Sequence, residues 1–425
     1  MNLLFIAFFW LGVCWLGYVY VGYPILLWLV GIFRPFHPTV SEEHLPKVSV
    51  MLSARNEQKD IEWKIAETLA WDYPREKLEL LVASDASEDG TDRILRNVSD
   101  PRFRYLCLER RGGKNEALNG LNELAHGELL FFTDANSRIE SGCLRKMVRH
   151  FSDPRVGCVT GIEQTVRENQ ESVVVAGTRA SLGYEAFVNN LESHLGSVLV
   201  CDGSLFCIRR SLFTHLQPDL ANDFELPMHI GAAGYAILFD PLAVSFERST
   251  SSAMEEFRRK QRICGQGALG FWRLRRCLRG LRGWQFVSRK LLRWLGAIPL
   301  ALVLLSSFGL LSHPFYTLVF GLQVAFYCLA LIGWLFAATR REGGKATTFS
   351  FFFILVNIGA LIGVIKVMMG KRFNVWDSPA NSRGPRGEFS ETGPIDSTAE
   401  CSPPGQTRIG SEELCAEMRP EEHRR

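Results

Sequence analysis

Three short stretches of this 425-residue chain bring acids and amides to the end of an apolar run. ARNE at 54–57 offers Asn56 and Glu57, SDASEDGT at 84–91 offers Asp85, and TDAN at 133–136 offers Asp134 and Asn136. A basic stretch, RRGGKN, adds Lys114, which also reads as a solvated lysine at a helix start. One Asp or Asn at a strand end is ordinarily a turn or cap residue. Three such ends on one edge favour a ligand site. Carboxylates at strand ends with a lysine suit a nucleotide-sugar held with a hard divalent cation, Mg²⁺ or Mn²⁺. Such a cation takes oxygen ligands and bridges phosphates.

The elements that must position these residues alternate from 46 to about 165. KVSVMLSARNE reads as a strand, EWKIAETLAW as a helix, and LELLVASDASEDGT as a second strand with an acidic loop. RFRYLCLE is a third strand, and GKNEALNGLNELA is a helix with Ala117, Leu118, Leu121 and Leu124 on one side. ELLFFTDANS is a fourth strand and VGCVTGI a fifth. This alternation predicts an α/β fold, a mostly parallel sheet with helices on both faces. Ligands of such sheets bind beyond the carboxyl ends of the strands, where all three acidic ends must lie.

Other chemistries lack their marks. No GxGxxG follows the first strand and no GxxxxGK[ST] occurs, which argues against NAD and against ATP in a P-loop. A net charge of +3 does not indicate a nucleic-acid binder. The eleven cysteines form no CxxC pair and read as reduced thiols with no zinc site.

Residues 1–33 contain no charge and read as an uncleaved transmembrane helix, with Arg34 on the cytoplasmic side. Further apolar runs lie at 294–312 and 314–338, and a fourth at 348–370 reads as transmembrane or interfacial. The basic loop TRREGGK suggests the cytoplasm, yet four crossings put Lys371 and Arg372 outside, against the positive-inside rule. Either the fourth run lies in the interface or the first is not a single span. Residues 255–293 hold twelve Lys or Arg against two Glu, with interleaved aromatics, and suit helices on an anionic membrane surface, with RNA binding as the rival. The tail, 377–425, has the composition of a disordered segment. The central domain is bounded at 46–254.

In this context the chain resembles the membrane-bound family 2 glycosyltransferases, relatives of the synthases of cellulose, hyaluronan and poly-N-acetylglucosamine. The resemblance covers roughly 47–270 and rests on ARNE, SDASEDGT, GGKNEALN, TDAN, NDFELP at 222–227 and KQRICGQG at 260–267, in the family's order. It implies a GT-A fold and an inverting transfer from a nucleotide-sugar, uridine-linked, to a polysaccharide or lipid-linked acceptor at the cytoplasmic face of a cell (inner) membrane. Glu57 and Asp85 would contact the nucleoside, with Lys114 beside the nucleotide. Asp134 would bind the cation. Asp223 would be the general base, although it also reads as an N-cap before FELPMHI. Asp202 and Gly203 in CDGSLFCIRR, with Gln261 and Arg262, would face the acceptor, while Gly203 equally reads as a turn.

Three departures stand out. Asn136 occupies the second place of a metal motif that often reads Asp-x-Asp. The acidic pair around the base reads Asn222-Asp223. Gly265 stands where chain-forming synthases carry a Trp, which makes a single transfer nearly as expected as polymerisation. The alternative is a non-catalytic assembly or export component on a degenerate transferase fold. A nucleotidyltransferase is disfavoured, because no Gly-rich loop follows the first strand. Four spans are few for a conduit, so passage of a polymer would call for a homo-oligomer or an export partner.

Overall fold

The computed structural model describes residues 2–165, 173–247, 252–339 and 343–373; the tail at 377–425 and part of the TRREGGK loop lie outside them. Helix α1 (Asn2–Gly17) continues through a π-helical turn, Tyr18–Gly22, into α2 (Tyr23–Phe33). Pro24 lacks the N–H that an unbroken α-ladder would use, and the wider turn lies just before it. Leu3–Phe33 is thus one apolar rod of 31 residues, long enough to cross a bilayer.

The central domain follows as β1 (Val48–Ala54), α3 (Ile61–Leu69), β2 (Leu78–Ser84), α4 (Thr91–Arg96), β3 (Phe103–Cys107), α5 (Lys114–Leu124) and β4 (Leu129–Asp134). Then come β5 (Arg138–Ile139), α6 (Cys143–Val148), β6 (Val156–Thr165), α7 (Val173–Ser193), β7 (Phe206–Arg209), α8 (Asn222–Ala232) and β8 (Ala236–Glu247). All eight strands form one sheet, ordered β3-β2-β1-β4-β7-β6-β8-β5. Strands β1 to β4 run parallel, as do β6 and β8, while β7 and β5 run antiparallel to their neighbours. The expected fifth strand is present as β6 but does not adjoin β4, because β7 lies between them.

Strands β1, β2 and β4 are largely apolar and buried because both sheet faces are covered there. Val50, Leu52, Leu80, Val82, Leu129 and Phe131 pack with Ile61, Ile65 and Met147 of α3 and α6. The alternating Met51, Leu81, Ala83, Leu130 and Phe132 pack with Leu118 and Leu121 of α5 and Leu226 and Ile230 of α8. The two faces follow from the period of two along a strand.

After the sheet come α9 (Ala253–Arg273), α10 (Gly280–Phe286), α11 (Leu292–Trp294), α12 (Ala297–Gly309), α13 (Pro314–Ala338) and α14 (Lys345–Met368). Ser252 caps α9, its side chain accepting from the Glu255 N–H at 3.4 Å, a capping-box start. The run expected at 294–312 is a correction. Helix α12 has 13 residues, roughly 20 Å at 1.5 Å per residue, too short to span alone. It joins Gly280–Trp294 at a 58° bend, and only the pair together is long enough. Among the described residues three helices qualify singly, Leu3–Phe33, Pro314–Ala338 and Lys345–Met368. Half of the most apolar stretch of α14 is buried by protein, against 17% and 11% for the other two.

Candidate active site

The parallel register sets Ala54 beside Ser84 and Ser53 beside Asp134. The three acidic ends therefore converge as the alternation requires. Each of the first two is followed by a non-glycine residue at positive φ, Asn56 at 54° and Ala86 at 49°. Such backbone costs about 1–3 kcal/mol and concentrates at functional sites. Asn56 holds the acidic loop, accepting from the Glu88 N–H at 2.8 Å and donating its own N–H to Ser87 Oγ at 3.1 Å. Glu57 is buried; its carbonyl accepts from the N–H groups of Asp60 and Ile61 at 2.9 Å, shaping the entry to α3.

The Asp85 carboxylate, also buried, accepts from the backbone N–H of Gly112 at 2.7 Å and of Gly113 at 3.1 Å. It fixes the loop before α5, where Gly113 takes φ +86°, a region that disfavours side chains. That loop delivers Lys114.

Asp134 decides between turn and ligand. The turn after β4 is tied through backbone groups: Ser137 Oγ donates to the Asp134 carbonyl at 2.9 Å, and the buried Lys64 Nζ donates to the Ser137 carbonyl at 2.7 Å. The Asp134 carboxylate is therefore not the group that makes the turn. Its Oδ1 accepts from Lys114 Nζ at 2.7 Å, with both side chains partly exposed. Burial opposes the charge on Lys114, yet Asp134 and then Asp223 hold its ammonium above its ordinary range.

Asp223 is not an N-cap. The cap of α8 is Ala221, and Asp223 lies in the first helical turn, where a carboxylate is favoured by the helix dipole. Burial pushes its pKa up to about 6, with Asp202 and Asp134 adding to the shift and Lys114 opposing it. Gly203 faces it, since a Cβ there would lie 3.4 Å from Asp223 Oδ2. Gly203 also sits in a turn closed by the Leu205 N–H on the Asp202 carbonyl at 3.2 Å, as the turn reading of this glycine expects. Asp202 Oδ1 accepts from the Ser204 N–H at 2.9 Å and Ser204 Oγ at 2.7 Å.

Arg262 and Gln261 part company. Arg262 is within electrostatic reach of Asp223, Asp134 and Glu247, although burial and Arg259 lower its pKa to about 10. Gln261 Oε1 instead accepts from Lys366 Nζ of α14 at 2.5 Å. Gly265 has a steric reason: a Cβ there would lie 2.5 Å from the Phe373 ring and 3.2 Å from the Gly363 carbonyl. The space of the expected Trp is filled.

Three residues escaped the sequence reading. Glu247 ends β8 and accepts from Asn136 Nδ2 at 3.0 Å. Glu163, on β6, lies among Glu247 and Asp202; burial and then these charges raise its pKa. Arg259, one turn before Arg262 on α9, pairs with Glu256 at 3.7 Å and is within electrostatic reach of Glu163, Glu247 and Asp202. The signals existed: Glu247 is a fourth acid at a strand end, and Arg259 shares a helix face with Arg262 at i, i+3.

Among the described residues no group of three or more His, Cys, Asp or Glu is arranged to cage a metal. The donor set fits the other mode, in which a small hard cation is held by one or two carboxylates and by substrate phosphates. Asp134, at the carboxyl end of β4, would be the ligand of such a cation. Asn136 turns its amide nitrogen to Glu247, which leaves the amide oxygen as its donor.

Comparison with known proteins agrees with this geometry. The model of the family described as Glycosyl transferase family 2 matches residues 49–216. Beta-monoglucosyldiacylglycerol synthase of Trichormus variabilis is 26% identical over 242 residues, 54% of this chain and 51% of that protein. Poly-beta-1,6-N-acetyl-D-glucosamine synthase of Staphylococcus aureus is 23% identical over 216 residues, 49% of this chain and 51% of that protein. The chain thus spans about half the length of these curated relatives. The structure of the mannosyltransferase PcManGT from Pyrobaculum calidifontis, in complex with GDP-Man and Mn²⁺, superposes with a TM-score of 0.63 at 21% identity, covering 83% of this chain and 99% of that one. It shares the fold, a GT-A arrangement. Over residues 49–216 this chain is thus similar to the family 2 glycosyltransferases.

Proposed function

We propose that the chain transfers a sugar, with inversion, from a nucleoside-diphosphate sugar to a polysaccharide or lipid-linked acceptor at the cytoplasmic face of the cell membrane. The observation that carries this reading is the pairing, across one sheet edge, of Lys114–Asp134 with a partly buried Asp223 whose pKa is raised. Glu57, Asp85 and the loop they shape form the nucleoside side. Lys114 neutralises phosphate charge. Asp134, with the Asn136 oxygen, would hold a divalent cation, which would supply electrostatic stabilisation of the leaving diphosphate. Asp223 takes the proton of the acceptor hydroxyl as its oxygen attacks the anomeric carbon from the face opposite the diphosphate. A carboxylate with a pKa near 6 is a better base than one near 4, and it is still ionised at neutral pH. Gly203 keeps the approach to Asp223 open, and Arg262 lines the acceptor side. The relatives named above are synthases of a glycolipid and of a polysaccharide, which supports the two acceptor classes.

The experiment is nucleoside-diphosphate release in membranes from a panel of UDP- and GDP-sugars, with and without Mg²⁺ or Mn²⁺. Metal-dependent release that Asp223→Asn abolishes supports the transferase. Nucleotide binding without turnover, even with lipid extract added, favours the non-catalytic alternative.

For the membrane, we propose that Leu3–Phe33, the bent pair ending in α12, and α13 cross, while α14 lies in the interface. Support comes from the length over which α14 and the residues just after it lie along α7 and α9. Phe352 packs on Gly177, Phe257 on Gly359, and Phe373 on Gly265. A helix crossing the bilayer would leave that surface within a turn or two. This placement keeps both TRREGGK and Lys371–Arg372 inside, as the positive-inside rule asks. A cysteine at 371 should resist a membrane-impermeant thiol reagent in intact cells.

A further inference from the structure

The C-terminal half of α9, the segment around Leu291 and the end of α14 enclose a groove of about 640 Å³. That is within the roughly 300–1,000 Å³ of small-molecule sites. Its floor is apolar and buried, with Leu269, Val364 and Val367. Its rim carries the exposed guanidinium groups of Arg275, Arg276 and Arg372. Arg273 also lines the groove but is held by Asp219, at 2.5 and 2.7 Å. No carboxylate lines the groove, and among the described residues none pairs with the three rim arginines. Trp272 and Met368, beside them, are largely exposed, an aromatic and apolar fringe typical of a membrane interface.

Two halves of a ligand are thereby specified. A free phosphate would leave the apolar floor in water. A neutral lipid would leave three guanidinium groups without a counter-ion. We propose that the groove binds one anionic phospholipid of the adjoining leaflet, its acyl chain along Leu269, Val364 and Val367 and its phosphate on Arg275, Arg276 and Arg372. The site rests on the membrane placement above and is separate from the carboxylate cluster. It joins α9, which carries Arg259 and Arg262, to the end of α14, so a bound lipid clamps the two together.

The test is native mass spectrometry of the full chain in detergent, with phosphatidylglycerol or phosphatidylcholine added. One phosphatidylglycerol should be retained at a concentration on the order of a hundredfold lower than phosphatidylcholine, as expected for three surface arginines. Replacing Arg275, Arg276 and Arg372 together by Gln should erase that preference. Ala268→Phe, which fills the groove and keeps its charge, should weaken retention of both lipids. Equal retention of the two lipids by the native chain overturns the proposal, as does a preference that survives both variants. Displacement by glycerol 3-phosphate would assign the groove to a free phosphate and also overturn it. The readout needs no sugar transfer and is unchanged if the chain has no donor.

Discussion

Two charge clusters in this molecule, one buried and one partly open, are built on opposite rules. Where α7 meets α2 and the α10–α11 segment, carboxylates are fully answered. Glu192 accepts from Tyr23 OH and Arg289 at 2.6 Å and from the Leu199 N–H at 3.0 Å. Glu185 is bound by Arg289, Lys290 and Arg293. Burial opposes its charge, yet these three cations hold it well below the usual carboxylate range. At the sheet edge, Asp134, Glu163, Asp202, Asp223 and Glu247 share Lys114, Arg259 and Arg262, and four of these acids are pushed up. A satisfied cluster holds the fold. One left short of cations is prepared for an external one and for proton transfer.

The comparison can be broken in several places. Asp223→Asn should cut turnover by about 10²–10⁴-fold, the usual share of a general base, without lowering thermal stability. Arg289→Ala should do the reverse and cost about 3–5 kcal/mol of unfolding free energy by leaving buried carboxylates unpaired. Comparable unfolding from both variants would erase the distinction. Gly265→Trp should destabilise by about 1–3 kcal/mol through overpacking against Phe373 and Gly363, seen as a lower melting temperature.

The pH dependences should also oppose each other. Asp223 titrates near 6 when folded and near 4 when unfolded, so the folded state keeps its proton longer. Its contribution to stability is lost as pH rises between those values, and Asp223→Asn should remove that loss. Glu185 is lowered, so its contribution is present above its unfolded pKa and is lost as pH falls. Turnover should drop about tenfold per pH unit below about 6 as the base protonates. The smallest effect is that of Asn136→Asp. It removes the N–H that Glu247 accepts and sets two carboxylates together, so the melting temperature should fall without cation and recover more steeply with added Mn²⁺.

The left half of the sheet was legible because its strands are long apolar runs buried on both faces, each ending in a polar cluster. The converging ends of β1, β2 and β4 follow from that pattern alone. The right half was not. Strand β7 has four residues, and β8 has a register irregularity and carries Pro241, so neither offers a clean period of two. With β8 unread, Glu247 had no strand to end. Hydropathy found the apolar helices but could not separate a crossing helix from one lying along protein, because Phe352 or Gly359 is equally apolar against lipid or against α7 and α9. Gln261 shows the limit of motif transfer, since its neighbour Lys366 comes from a helix 105 residues away.

Glu192 has a practical consequence. Its carboxylate is shared between a hydroxyl on the first membrane helix, a guanidinium from the segment after α10, and the N–H of Leu199, four residues before Gly203. A central domain excised at residues 46 and 254 would lose the first two and leave the Glu192 carboxylate with the Leu199 N–H but without its hydroxyl and guanidinium partners. The catalytic unit is therefore larger than the Rossmann-like sheet. It includes the hardware that anchors it, and a soluble fragment would be expected to misfold at its acceptor side first.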